Sequence, residues 1–153
     1  MIKRLETLVL LMIIFAYSAR AQNTHRRYPI FIAEYDFIFT PQNGCIDTVS
    51  GHLQNGNSVR IKLYSCSGKM TIKVYDRNSK LVEEGQYMNS LDLLKKYTNL
   101  INVDSKKSVV KVYAYYQPLR TGEWRFYDSK GNIEFKKNYY VGSLRDSTIL
   151  LSK

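Results

Sequence analysis

Residues 122–140 read Gly122-Glu123-Trp124-Arg125-Phe126-Tyr127-Asp128-Ser129-Lys130-Gly131-Asn132-Ile133-Glu134-Phe135-Lys136-Lys137-Asn138-Tyr139-Tyr140. Two aromatic-rich runs flank a polar tetrad, Asp128 to Gly131. Glu123–Tyr127 and Ile133–Tyr140 are therefore predicted to pair as a β-hairpin. Gly131 suits a turn because it reaches φ > 0 without a Cβ clash, and an Asp at the turn can bond its own backbone. A tyrosine on such a strand buries a large ring and keeps its hydroxyl at the edge.

Two other stretches share the pattern: an apolar residue, Tyr, three turn-like residues, Gly or Ser, one polar residue, then an apolar one. They are Leu63 to Met70, with Gly68 at the turn, and Val74 to Leu81. Tyr75 and Tyr127 stand 52 residues apart, as do Tyr87 and Tyr139. Alternation extends the pattern outward. Val59, Ile61 and Leu63 point one way, and Arg60, Lys62 and Tyr64 the other. Met70 to Tyr75 runs back, Asp76 to Ser79 turns the chain once more, and Leu81 to Met88 follows, so residues 58–88 read as a meander of short antiparallel strands. Upstream, 28–39 reads as a strand with Tyr35, Phe37 and Phe39 on one face, followed by a turn at Pro41 to Gly44. Ile46 to His52 is a second short strand, and Gln54 to Asn57 another turn. Residues 90–97 are the only helical candidate, a short link with Ser90 as cap and Leu91, Leu94 and Lys95 on one face. Thr98–Val103 and Ser108–Tyr116 flank a turn at Asp104 to Lys107. From Gly142 the tail is polar until Ile149, and no strand is assigned there. The expected fold is mainly β, an antiparallel meander of hairpins with one short helical link. Repeat-like hairpins are expected at 58–88 and 108–140.

Gly122, Trp124, Tyr127, Gly131, Ile133 and Tyr139 together resemble the variant MORN-type repeat (membrane occupation and recognition nexus) of bacterial antitoxin-like repeat proteins. The clear match covers residues 122–140. Residues 72–90 are a degenerate copy, with Ile72 in place of Trp and Ser79 in place of Gly. The resemblance implies a sheet of β-hairpins, with Gly68, Gly122 and Gly131 as repeat-turn glycines, and a role in binding.

The 153 residues start with a segment of different character. Lys3 and Arg4 precede an apolar run from Leu8 to Tyr17, and Ala19 and Ala21 stand where a signal peptidase reads. Ten apolar residues at about 1.5 Å each cover roughly half of a ~30 Å hydrocarbon core, too little for a transmembrane anchor. Residues 1–21 are expected to be a signal peptide cut after Ala21, and 22–27 a loose basic leader. Residues 28–153 would be a single β-rich domain, secreted or periplasmic. Cleavage removes Lys3, Arg4, Arg20 and Glu6, which takes the net charge from +10 to +8. Cys45 and Cys66 both remain. In an oxidising compartment they read as one disulfide worth about 3 kcal/mol, or else as two separate buried thiols.

Chemistry-bearing constellations are scarce. Two histidines are present. His25 lies in the leader and His52 beside a turn, which is too little for a nucleophile–base pair or a common zinc pattern. Glu83 and Glu84 are neighbours and face opposite sides of a strand. No phosphate-cradling glycine loop occurs. The chain reads as no enzyme, with no cofactor and no metal. Its cations come in scattered pairs, Arg26-Arg27, Lys95-Lys96, Lys106-Lys107 and Lys136-Lys137. For an exported chain the expected partner is a protein or an anionic envelope component, not nucleic acid. The sequence sets no oligomeric state. The candidate contact residues are Tyr113, Tyr115, Trp124, Tyr127 and Tyr139. The expected function is an exported, non-catalytic binding or scaffold module. The alternative is a small envelope-associated enzyme or enzyme inhibitor.

Overall fold

The computed structural model describes residues 27–102 and 107–150. The signal segment, most of the leader and the turn at 103–106 lie outside the described residues.

Alternation of apolar and polar residues governs what forms. In β4 (Ser58–Leu63) Val59, Ile61 and Leu63 are buried, and in β5 (Met70–Tyr75) so are Met70, Ile72 and Val74. β-branched and long apolar side chains on every second residue give a strand one dry face. β3 (Asp47–His52), β4, β5, β6 (Leu81–Met88), β9 (Leu119–Tyr127), β10 (Ile133–Tyr140) and β11 (Ser143–Ile149) make a seven-stranded sheet. Its order is β11-β10-β9-β6-β5-β4-β3, antiparallel throughout. The chain leaves this sheet after β6 and returns as β9 beside it. Between them it makes a long hairpin, β7 (Leu93–Asn102) with β8 (Lys107–Tyr116), in unbroken ten-residue register.

That hairpin belongs to a second, four-stranded sheet of order β2-β1-β8-β7. β1 (Ile30–Ile32) and β2 (Phe37–Phe39) pair antiparallel, and β1 meets β8 parallel at Ile30 and Tyr116. Ile30, Ile32 and Phe39 join the buried residues of β4 and β5, together with Tyr87 and Trp124, in one core. Covering the dry face of the large sheet is what holds the small sheet in place.

Four expectations are corrected. Residues 90–97 hold no helix. A two-turn helix is costly to nucleate, whereas antiparallel pairing with β8 bonds every second residue of β7 over ten positions, so Leu93 onward is strand. The helical turn lies instead at Ala33–Tyr35, a 3₁₀ turn. It splits the expected strand 28–39 in two, and Asp36 at φ 47° turns the chain back. The hairpin region 108–140 is divided between sheets, β8 in the small one and β9–β10 in the large one. The tail forms a seventh strand, β11, beside β10.

The hairpin turns obey one pattern. In 53–57, 76–80 and 128–132 the first residue's N–H donates to the carbonyl of the fifth, and the fourth donates to the first. The fourth residue is Gly56, Ser79 or Gly131, each at positive φ. Asp76 and Asp128 accept two backbone N–H groups each through Oδ1. The turn at Gly68 closes one pair further out, between Tyr64 and Lys69. Cys45 and Cys66 are bonded, with Cα atoms 4.4 Å apart, and fasten the loop before β3 to this turn. Gly122 lies in no turn. It sits in β9 at φ 65°, where the β6–β9 register shifts opposite Gly85.

Candidate functional site

Trp124, on β9, is fully buried. Its indole lies flat on Gly85, where an added Cβ would come within 2.1 Å of the ring. Its Nε1–H donates to the Gln86 carbonyl at 3.2 Å. Tyr87 meets it edge to face at 5.2 Å. On the other side the Arg120 guanidinium stands 4.0 Å from the ring centroid, a cation–π contact in a dry setting.

Arg120 gathers groups from both sheets. Nη2 reaches Glu83 Oε1 at 2.8 Å and the Tyr35 hydroxyl at 3.3 Å. Nη1 donates to the Tyr139 hydroxyl at 3.2 Å. Nε lies 3.3 Å from Glu34 Oε1 but makes no hydrogen bond. Tyr87 donates to the other Glu34 oxygen. Burial draws the Arg120 pKa down, but Tyr35, Tyr87 and Glu83 outweigh it and the guanidinium stays charged. Burial also pushes the Tyr35 and Tyr87 phenols far up, with Glu83 and Glu34 adding to it, so both stay protonated. This cluster joins the 3₁₀ turn of the small sheet to β6, β9 and β10. Its hydrogen bonds are spent within the protein, so it is a lock between layers.

The five candidate contact residues therefore separate. Trp124 and Tyr139 belong to the lock. Tyr127 lies on the outer face of the large sheet, where its hydroxyl donates to Glu84 at 2.6 Å. Glu84 also pairs with Lys73 at 3.2 Å and Arg125 at 3.4 Å, and Glu123 links Arg125 to Lys136. Burial raises the Glu84 carboxyl, but hydrogen bonds from Tyr127 and Lys73 hold it below the ordinary range.

Tyr113 and Tyr115 are brought together, two apart on β8, on the outer face of the small sheet. With Phe31, Ile38, Lys96 and Thr98 they line an open groove of about 380 Å³. Phe31 and Tyr115 meet edge to face at 5.8 Å, and Lys111 Nζ stands 4.9 Å from the Tyr113 ring centroid. Ile38 is 59% exposed and Tyr113 43%. Asp36 also lines the groove, its carboxylate accepting from Gln54 Nε2 at 2.8 Å. An aromatic floor with lysines at its margin can grip an apolar surface and favour negative charge beside it.

Phe31, Ile38 and Lys96 are absent from the sequence-based set. The two apolar residues sit inside what reads as one continuous strand. Only the reversal at Asp36 turns both to the same face, and neither Gly nor Pro marks it. Lys96 falls in the segment read as helix. Among the described residues no cluster of three His, Cys, Asp or Glu is placed to hold a metal. Compared with known proteins, the chain matches no family model, no curated protein and no solved structure.

Proposed function

We propose that the chain is an exported, non-catalytic binding module that contacts its partner through the outer face of the small sheet. One observation carries this reading. Phe31, Ile38, Tyr113 and Tyr115 form a partly exposed aromatic and apolar groove, while the other aromatic cluster, around Trp124, is committed to the core. Exposed apolar surface collected in one place marks an interaction site. The Cys45–Cys66 bond supports an oxidising compartment, since such crosslinks persist outside the reducing cytosol. The likeness of residues 122–140 to a MORN-type hairpin repeat also favours a binding role, with the repeat strands acting as the platform on which the small sheet rests.

The test compares partner recovery from envelope extracts by wild type, Tyr113→Ala, Tyr115→Ala and Arg60→Ala, each checked for folding by near-UV circular dichroism. The two tyrosine variants are expected to lose at least tenfold of a specifically recovered component. Arg60→Ala, on the outer face of the large sheet, retains it. Equal recovery by all four proteins overturns the reading.

A further inference from the structure

β8 is only half paired. Its β7 side is bonded along ten residues, but β1 meets its other side at Tyr116 alone. The ladder stops there for a chemical reason. The Tyr116 N–H donates to the Pro29 carbonyl at 2.9 Å, and Pro29, having no N–H, cannot donate to the next carbonyl along β8. Backbone groups on alternate residues of a strand point to the same side. Val110, Val112 and Ala114 therefore direct their N–H and C=O groups, like Tyr116, toward a notch where no strand of the described residues pairs with them. The notch runs beside residues 110–115, about 20 Å at ~3.3 Å per residue.

Both faces beside the notch are apolar. Tyr113 and Tyr115 flank it on the groove side. Val110 and Val112 flank it on the other, and Val112 is 50% exposed. An added strand places alternate side chains on opposite faces, so each set would find apolar neighbours. Charge selects further. β7 and β8 carry Lys95, Lys96, Lys107 and Lys111 and no carboxylate, whereas on the large sheet Lys73, Arg125 and Lys136 each pair with a glutamate. A second copy would bring the same four lysines and the same positive net charge, so like charges would oppose it.

We infer that the notch on β8 is a strand-addition site for an extended segment of another protein, apolar at alternate residues and flanked by carboxylates. The inference rests on the small sheet being the contact surface and specifies how contact is made. Main-chain bonds to Val110, Val112 and Ala114 supply affinity, and the two apolar faces with the lysines supply selectivity.

The probe is a fluorescein-labelled peptide, Asp-Asp-Val-Thr-Val-Thr-Val-Asp-Asp, titrated with the purified protein and followed by anisotropy. Saturable binding is expected, at least tenfold weaker for the same peptide with lysines replacing the aspartates. In the complex, amide exchange at Val112 and Ala114 is expected to slow at least tenfold. Tyr113 and Tyr115, already bonded to β7, should change little. Val112→Pro removes a notch-facing donor and spares the β7 ladder, so it should weaken binding at least tenfold. A peptide N-methylated at alternate amides should lose the same amount with wild-type protein, which gives the answer even where Val112→Pro fails to fold. No saturable binding, undiminished binding of the methylated peptide, or protection along β3 or β11 instead would overturn the inference. So would a concentration-dependent dimer that protects Val112. If the peptide fails while Tyr113→Ala still costs partner recovery, strand addition falls and the contact surface stands. Failure of both removes both.

Discussion

Gly85 shows how much of the core depends on a missing atom. A Cβ there would meet Trp124 at 2.1 Å, and the indole cannot retreat because Arg120 and Tyr87 hold it from other sides. Overpacking of this kind costs about 3 kcal/mol. Gly85→Ala is expected to lower unfolding stability by about that amount, read in urea by the fluorescence of the single tryptophan. Gly122 has no atom within 4 Å of its virtual Cβ but holds φ +65°. Gly122→Ala should therefore cost only the left-handed backbone term, about 1 kcal/mol. The tryptophan stood out in the sequence as an aromatic with a binding role. Its burial did not, because the glycine beneath it lies on another strand 39 positions earlier.

Strands were the most legible elements. β5, β6 and β10 begin and end where alternation and turn residues place them, because one dry face forces a period of two. β7 was hidden by two leucines and a lysine at helical spacing, a local preference that ten residues of pairing with β8 override. β11 was hidden by its polarity, since every residue of it is exposed and it follows the edge of β10. The cysteine pair left two readings open in sequence, and the geometry selects the bond. It fastens residues 21 apart in the chain and stabilises mainly by restricting the unfolded state. Reduction with dithiothreitol is expected to lower unfolding stability by about 3 kcal/mol, measured as the shift in urea midpoint. A midpoint that does not move would mean the crosslink contributes nothing.

The division into two sheets was not readable, because β6 pairs with β9 across an excursion of thirty residues that no local pattern announces. Nor was the lock between them. Arg120 looks like any other scattered cation until Glu34, Glu83 and three tyrosines close around it. Glu83 is 13% exposed, so removing its partner strands a nearly buried charge, at a cost of about 3 kcal/mol. Arg120→Met should lose that much. Arg125→Met, on the solvated face, should lose under about 1 kcal/mol. Denaturant unfolding of the pair checks both.

Acid should loosen the whole molecule. Hydrogen bonds hold Asp47, Glu84, Glu123 and Asp128 below the ordinary carboxylate range, against some desolvation that opposes them. A carboxyl with a depressed folded pKa binds more protons when unfolded. Its contribution is fully present above the unfolded value and is lost as pH falls through the folded one. Stability is therefore expected to be flat near pH 6 and to decline below about pH 4.5, as urea midpoints across that range would report.

The most direct test of the small sheet as the working surface is a photo-crosslinking amino acid placed singly at positions 38, 113, 60 and 62 and activated in the living cell. Adducts from 38 and 113, with none from 60 and 62 on the far face of the large sheet, are the predicted result. Adducts confined to 60 and 62 would contradict it.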